Sequence, residues 1–145
     1  MFTTSSTVAM RKTLLAYAAT AAALLVLDAV WLGLVAQPLY QRGIGHLMAE
    51  QPRWMAAVAF YLVYPLGLLR FALLPYRLDS AMGPTLSAAA LFGFFAYATY
   101  DLSNLATLRD WPVGLSLIDI AWGSVVSTAS AAAGKLVLER ISAAK

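Results

Sequence analysis

Thr13 to Ala36 is a run of 24 residues in which the only charged side chain is Asp28. As a helix it is about 36 Å long, enough to cross a hydrocarbon layer of about 30 Å. Three further apolar segments follow, at about 54–75, 84–105 and 113–138. Apolar residues make up 61% of the 145-residue chain and charged residues 12%. A domain this small has too much surface per volume to hide so many apolar side chains from water. The expectation is an all-α transmembrane four-helix bundle with lipid as its solvent. A signal peptide would also place Arg11 and Lys12 before an alanine-rich apolar run. This run is longer than a signal core and is not the last of its kind.

The domain reading follows from these spans. Residues 1–12 are expected as a disordered cytoplasmic leader, with Met10-Arg11-Lys12 as an alternative start. Residues 13–138 form the four-span domain, and 139–145 a cytoplasmic tail. Gln37 to Arg53, punctuated by Pro38, Gly43, Gly45 and Pro52, reads as a loop or interfacial segment. Pro65 is expected to kink the second span, whereas Pro84 opens the third. Seven cations (Arg11, Lys12, Arg70, Arg77, Lys135, Arg140, Lys145) flank one side and three (Arg42, Arg53, Arg109) the other. The positive-inside tendency places both termini of this multi-pass membrane protein in the cytoplasm. Tyr40, Trp54 and Trp111 are then outer-interface anchors, with Tyr76 at the inner interface. Arg70 is expected to snorkel and His46 to be solvated.

The carboxylates are the functional signal. Asp28 falls about 12 Å below the outer end of its span and Asp119 about 9 Å below the outer end of the fourth. Asp101 and Asn104 lie near the outer end of the third, and Tyr61 and Tyr64 descend the second from that side. Asp28-x-x-Trp31 and Asp119-x-x-Trp122 each set a carboxyl and an indole on one helix face, and Tyr97, Asp101 and Asn104 share another. Carboxylates facing lipid are costly, so all three aspartates are expected to face the bundle interior. Arg42, Arg53 or Arg109 would have to fold back to neutralise them, or at least one carboxyl would carry a proton. The expected site is Asp28, Trp31, Tyr61, Tyr64, Tyr97, Asp101, Asn104, Asp119 and Trp122. Gly33 and Gly123 would allow close backbone approach beside it, and Ser124 to Gly134 reads as a helix-packing face. The echo between Asp28-x-x-Trp31 and Asp119-x-x-Trp122 is as consistent with local reuse as with duplication.

With these motifs, Tyr100-Asp101-Leu102-x-Asn104-Leu105-Ala106-Thr107 and Asp110-Trp111-Pro112, the chain resembles a bacterial family of small four-helix membrane proteins of uncharacterised function. The resemblance runs from about Lys12 to Leu138 and implies a membrane protein but no reaction.

Three functions remain open. An acidic, aromatic-lined site near the outer leaflet would suit binding or transport of a proton, a cation or a small amphiphile. The same aspartates would serve a membrane enzyme acting on a lipid or isoprenoid substrate. Their third use is structural, joining helices in an accessory subunit. No catalytic residue is specified. With no cysteine and one histidine, neither a disulfide framework nor a zinc site is expected, and no pattern specifies a cofactor. The expected partners are membrane lipids and, for a complete pathway through so thin a wall, a second copy of the chain; nothing points to nucleic acid.

Overall fold

The computed structural model describes residues 4–79 and 81–143, all of whose regular structure is helical. Helix α1 covers Thr4–Val30 and ends in a π-helical turn at Trp31–Val35, where Ala36 N–H reaches back to the Trp31 carbonyl at 2.7 Å. Helix α2 is short, Gln37–Ile44, and a 3₁₀ turn at Gly45–Leu47 follows it. Helix α3, Trp54–Leu68, passes into a second π-helical turn at Leu69–Leu73 and a 3₁₀ turn at Leu74–Tyr76. Helices α4 and α5 cover Met82–Thr107 and Val113–Ala143.

Several local expectations change. Residues 4–12 are not a disordered leader but the opening turns of α1, because nothing between Thr4 and Lys12 breaks a helix. Residues 139–143 likewise continue α5 rather than forming a separate tail. Residues 1–3 of the expected leader and 144–145 of the expected tail lie outside the described residues. Gln37–Ile44 is helical instead of a loop, since Pro38 occupies the first turn, where its missing N–H costs nothing. Helix α3 carries on through Pro65, and its hydrogen-bond register widens only one turn later, at Leu69. Trp111 is buried, not an interface anchor; it packs with Ile44 and Leu115 and donates to Ser116 Oγ at 3.0 Å.

The distribution of side chains is the reverse of a water-soluble bundle. Small and hydroxyl-bearing residues occupy the interior, among them Ala16, Thr20, Ala89, Ser127, Ser130 and Ala131. Leu25, Val26, Leu62, Val63, Phe95 and Leu117 point outward. In lipid, outward leucine costs nothing, and small interior residues let helices close on one another. Hydroxyls of Thr13, Thr20, Thr99 and Thr128 each donate to the carbonyl four residues earlier, so they enter the apolar layer already satisfied. Among the described residues, three segments are long and apolar enough to cross a membrane: Thr7–Val35, Trp54–Tyr76 and Val113–Ile141. Helix α4 is comparably long, but Ser, Thr, Asp101 and Asn104 make it more polar.

Helix α5 is the spine. It packs most extensively on α4 and next on α1, while α3 leans on α1. A Cβ at Gly93 would strike the Gly123 carbonyl, and one at Gly134 would strike Thr20 Oγ1. Gly33, by contrast, has nothing within 4 Å and serves no close approach. Helices α3 and α4 keep their backbones apart: they meet through the rings of Tyr64, Phe92 and Tyr97 and, more closely, through the π-helical turn after α3. At that end Lys135, fully buried within α5, donates to the carbonyls of Tyr76 at 2.8 Å and Asp79 at 2.5 Å, with Glu139 at 3.7 Å. It is thus a clamp on the α3–α4 connection.

The α4–α5 contact supplies a direct test. Gly93→Leu is expected to cost at least about 1–3 kcal/mol in equilibrium unfolding in mixed micelles, because backbone lies in the way. Gly114→Ala, where an added Cβ meets nothing, is expected to stay within about 0.5 kcal/mol of the parent. Equal stability of the two variants would refute the close approach.

Candidate functional site

The gap left between α3 and α4 widens into a cavity of about 530 Å³ at the end of the bundle remote from the termini. Every helix contributes to its wall. Asp28 and Trp31 come from the end of α1 and its π-helical turn, Tyr40 from α2, and Tyr61 and Tyr64 from α3. Tyr97 and Tyr100 come from α4, Asp119 and Trp122 from α5.

The two carboxylates are bonded across helices, not within their own. Asp28 Oδ1 accepts from Trp122 Nε1 at 3.0 Å, and the Tyr61 hydroxyl lies beside it. Asp119 Oδ1 accepts from the Tyr40 hydroxyl. Burial foremost, then the Asp119 carboxylate, pushes the Tyr40 hydroxyl well above its ordinary pKa, so it stays a donor. The indoles of Trp31 and Trp122 stack with centroids 4.4 Å apart and planes 7° from parallel. The echoed motifs therefore meet, but not as equals: Trp122 bonds the aspartate of the other helix, while Trp31 Nε1 is buried with no hydrogen-bond partner.

The opposite wall is tyrosine. Tyr64 shares a 2.7 Å hydrogen bond with Ser127 Oγ and meets Tyr97 edge to face, centroids 6.2 Å apart. Tyr97 lies across Gly123, where a Cβ would occupy the space of its ring. Tyr100 meets Trp111 edge to face, at 5.9 Å. The glycine that lets α4 approach α5 is the one that seats a cavity tyrosine.

Of the nine residues expected in the site, the structure brings seven into one cavity: Asp28, Trp31, Tyr61, Tyr64, Tyr97, Asp119 and Trp122. Asp101 and Asn104 do not line it. Asp101 is fully buried behind the wall, next to the Trp111–Ser116 pair, and neither of its oxygens has a hydrogen-bond partner. Asn104 lies one turn beyond, where its carbonyl accepts from Leu108 N–H and ends α4. Among the described residues, no three acidic or histidine side chains come together as a metal cage. None of Arg42, Arg53 or Arg109 folds back: among the described residues, no ion pair reaches Asp28, Asp101 or Asp119.

Tyr40 is the residue that sequence reasoning placed wrongly. As part of a loop it was an interface anchor; as part of a helix that turns back over the bundle, it closes the cavity and holds Asp119. The signal is Pro38 followed by thirteen residues without another proline, a helix start in place of a turn.

Residues 13–136 match a family described as predicted membrane proteins, DUF2177. The chain belongs to that family. Neither a curated protein nor a solved structure matches it. The membership covers all the elements that build the cavity, and family and fold agree on a membrane protein with apolar helices.

The Tyr40–Asp119 bond is testable by a double-mutant cycle. Tyr40→Phe and Asp119→Asn are expected to show a coupling of about 0.5–2 kcal/mol in micellar unfolding, the range for hydrogen bonds inside membranes. Additive effects would mean that the pair does not interact.

Proposed function

We propose that this member of the DUF2177 family binds an organic cation in the cavity among its helices. The observation that carries the reading is the composition of the wall: two buried carboxylates, a stacked indole pair and a series of tyrosine rings, with no lysine, arginine or histidine. When Asp28 and Asp119 are ionised, such a wall has negative charge at both and negative ring faces between them. A compact ammonium or amidinium group meets both attractions at once, at about 0.5–2 kcal/mol or more per ring when desolvated. The hydrogen bonds from Trp122 and Tyr40 hold each carboxylate in place without supplying a countercharge. That leaves the countercharge to the ligand.

The same proposal sets the cavity in the membrane. Helix α4 is the third of four spans, both termini face the cytoplasm of a bacterial cell, and the cavity lies toward the outer leaflet of the inner membrane. Because the chain has no cysteine, single introduced cysteines report this directly. Arg109→Cys is expected to react with a membrane-impermeant maleimide added outside intact spheroplasts, and Leu78→Cys, at an exposed position, only after lysis. Equal labelling of both from one side would remove α4 as a span, and the reverse pattern would invert the topology.

Binding is tested with tetramethylammonium chloride titrated into the protein in nanodiscs, with ionic strength held constant by sodium chloride. Saturable change in the fluorescence of the Trp31–Trp122 pair is expected for the parent. Asp28→Asn and Asp119→Asn are expected to weaken it roughly tenfold each, about the 1.4 kcal/mol that a lost charge contact supplies. No saturation in the parent would overturn the reading. Stability lost in both variants, with no ligand effect in the parent, would assign the aspartates to helix association.

A further inference from the structure

Beyond the cavity, the seam between α3 and α4 holds a second hollow of about 500 Å³. It shares Phe60 and Tyr64 with the cavity and continues between Val63, Gly67, Phe71 and Phe92. Its lining exposes no polar surface, and Val63 and Phe71 are open to the surrounding lipid. Gly67 leaves the space for the Phe92 ring: a Cβ there would lie 2.6 Å from Phe92 Cζ. On α4 the lining moves from Tyr97 and Tyr100 in the cavity to Phe92 in the groove, one to two turns nearer the start of the helix. On α3 it moves the same way, toward the membrane centre. An acidic, aromatic-lined chamber thus adjoins, across the rings of Phe60 and Tyr64, an apolar slot that runs in the direction of a lipid tail.

From this adjacency we infer that the ligand is a single-chain cationic amphiphile, with its ammonium head between Asp28 and Asp119 and its alkyl chain passing the Phe60 and Tyr64 rings into the α3–α4 groove. The inference rests on the cation-binding reading above and adds the substrate class. From Phe60 to Phe71 the groove runs about 16 Å along α3, comparable to an extended dodecyl chain. Among the described residues neither hollow is lined by a lysine, arginine or histidine, so a phosphate between head and chain would sit by Phe60 and Tyr64 without a cationic partner. An ordinary phospholipid is thereby disfavoured. An alkyl chain gains little from leaving lipid for an apolar protein surface. The groove's contribution is therefore one of shape, positioning the chain of a ligand whose head is already held.

The test compares tetramethylammonium, dodecyltrimethylammonium and dodecylphosphocholine, in nanodiscs, on the parent and on Val63→Trp. Position 63 lines the groove but not the cavity and is open to lipid, so the added ring blocks the slot without entering the core. Partition of each amphiphile into the bilayer is common to both proteins and cancels in the comparison. Val63→Trp is expected to weaken dodecyltrimethylammonium at least about fivefold while tetramethylammonium stays within about twofold; fivefold corresponds to about 1 kcal/mol. Phe71→Ala, which removes a groove wall farther from the cavity, is expected to weaken the dodecyl compound in the same selective way and serves if Val63→Trp does not fold. Unchanged dodecyltrimethylammonium binding in both variants would overturn the groove assignment while tetramethylammonium binding stood. Failure of tetramethylammonium to bind the parent would instead overturn the cation reading beneath it. Dodecylphosphocholine binding as tightly as dodecyltrimethylammonium would refute the phosphate-free head.

Discussion

The close approach of α5 to its neighbours is the constraint on which the rest of the molecule depends. Gly93 and Gly123 face each other across α4 and α5, and Gly134 faces Thr20 across α1 and α5. In lipid there is no hydrophobic force to bring helices together, so association comes from backbone proximity and interhelical hydrogen bonds. With α1 and α4 drawn onto α5, α3 settles on α1 and meets α4 through aromatic rings and its terminal π-helical turn. The hollow between α3 and α4 is what remains when three helices pack as tightly as their backbones allow.

Polar groups then distribute by a single rule, that each must find a partner inside the protein. Threonine hydroxyls turn back on their own helices, whereas the long aromatic donors reach across to another. Trp122 serves Asp28, Tyr40 serves Asp119, and Tyr64 and Ser127 serve each other. Trp31 Nε1, Thr85 Oγ1 and Ser130 Oγ depart from the rule, and so does Asp101, which is fully buried without a hydrogen-bond partner. It sits outside the cavity wall, so its role is separable from that of the other two aspartates.

How much of this was legible beforehand depended on the range of the interaction. Long apolar runs announce helices and a lipid environment without reference to anything distant, and so the element types and the small-residue face on α5 could be read directly. Seven cavity residues could be named because depth along a span follows from residue count alone. Azimuth does not follow so simply. Asp101 differs from Tyr97 by one helical turn, yet it lies behind the wall, because which flank of α4 meets α5 is set by Gly93 and Gly123 on two helices at once. Tyr40 failed for a related reason, since its position requires the chain to double back after α1. Lys135 reads as one more flanking cation until the carbonyls of Tyr76 and Asp79 are seen above it.

The π-helical turn at Trp31–Val35 makes the first span sensitive to length in a way that an ordinary helix is not. A π turn is an α-helix holding one residue more than its hydrogen bonds need. Removing one residue there restores the regular register and rotates everything downstream by about 100°. Because α2 begins only two residues later, the whole rotation falls on it. The Tyr40 hydroxyl would swing away from Asp119 while every span kept enough length to cross. Insertions and deletions within Trp31–Val35 therefore act as a rotary adjustment of the cavity's cover, independent of the bundle beneath.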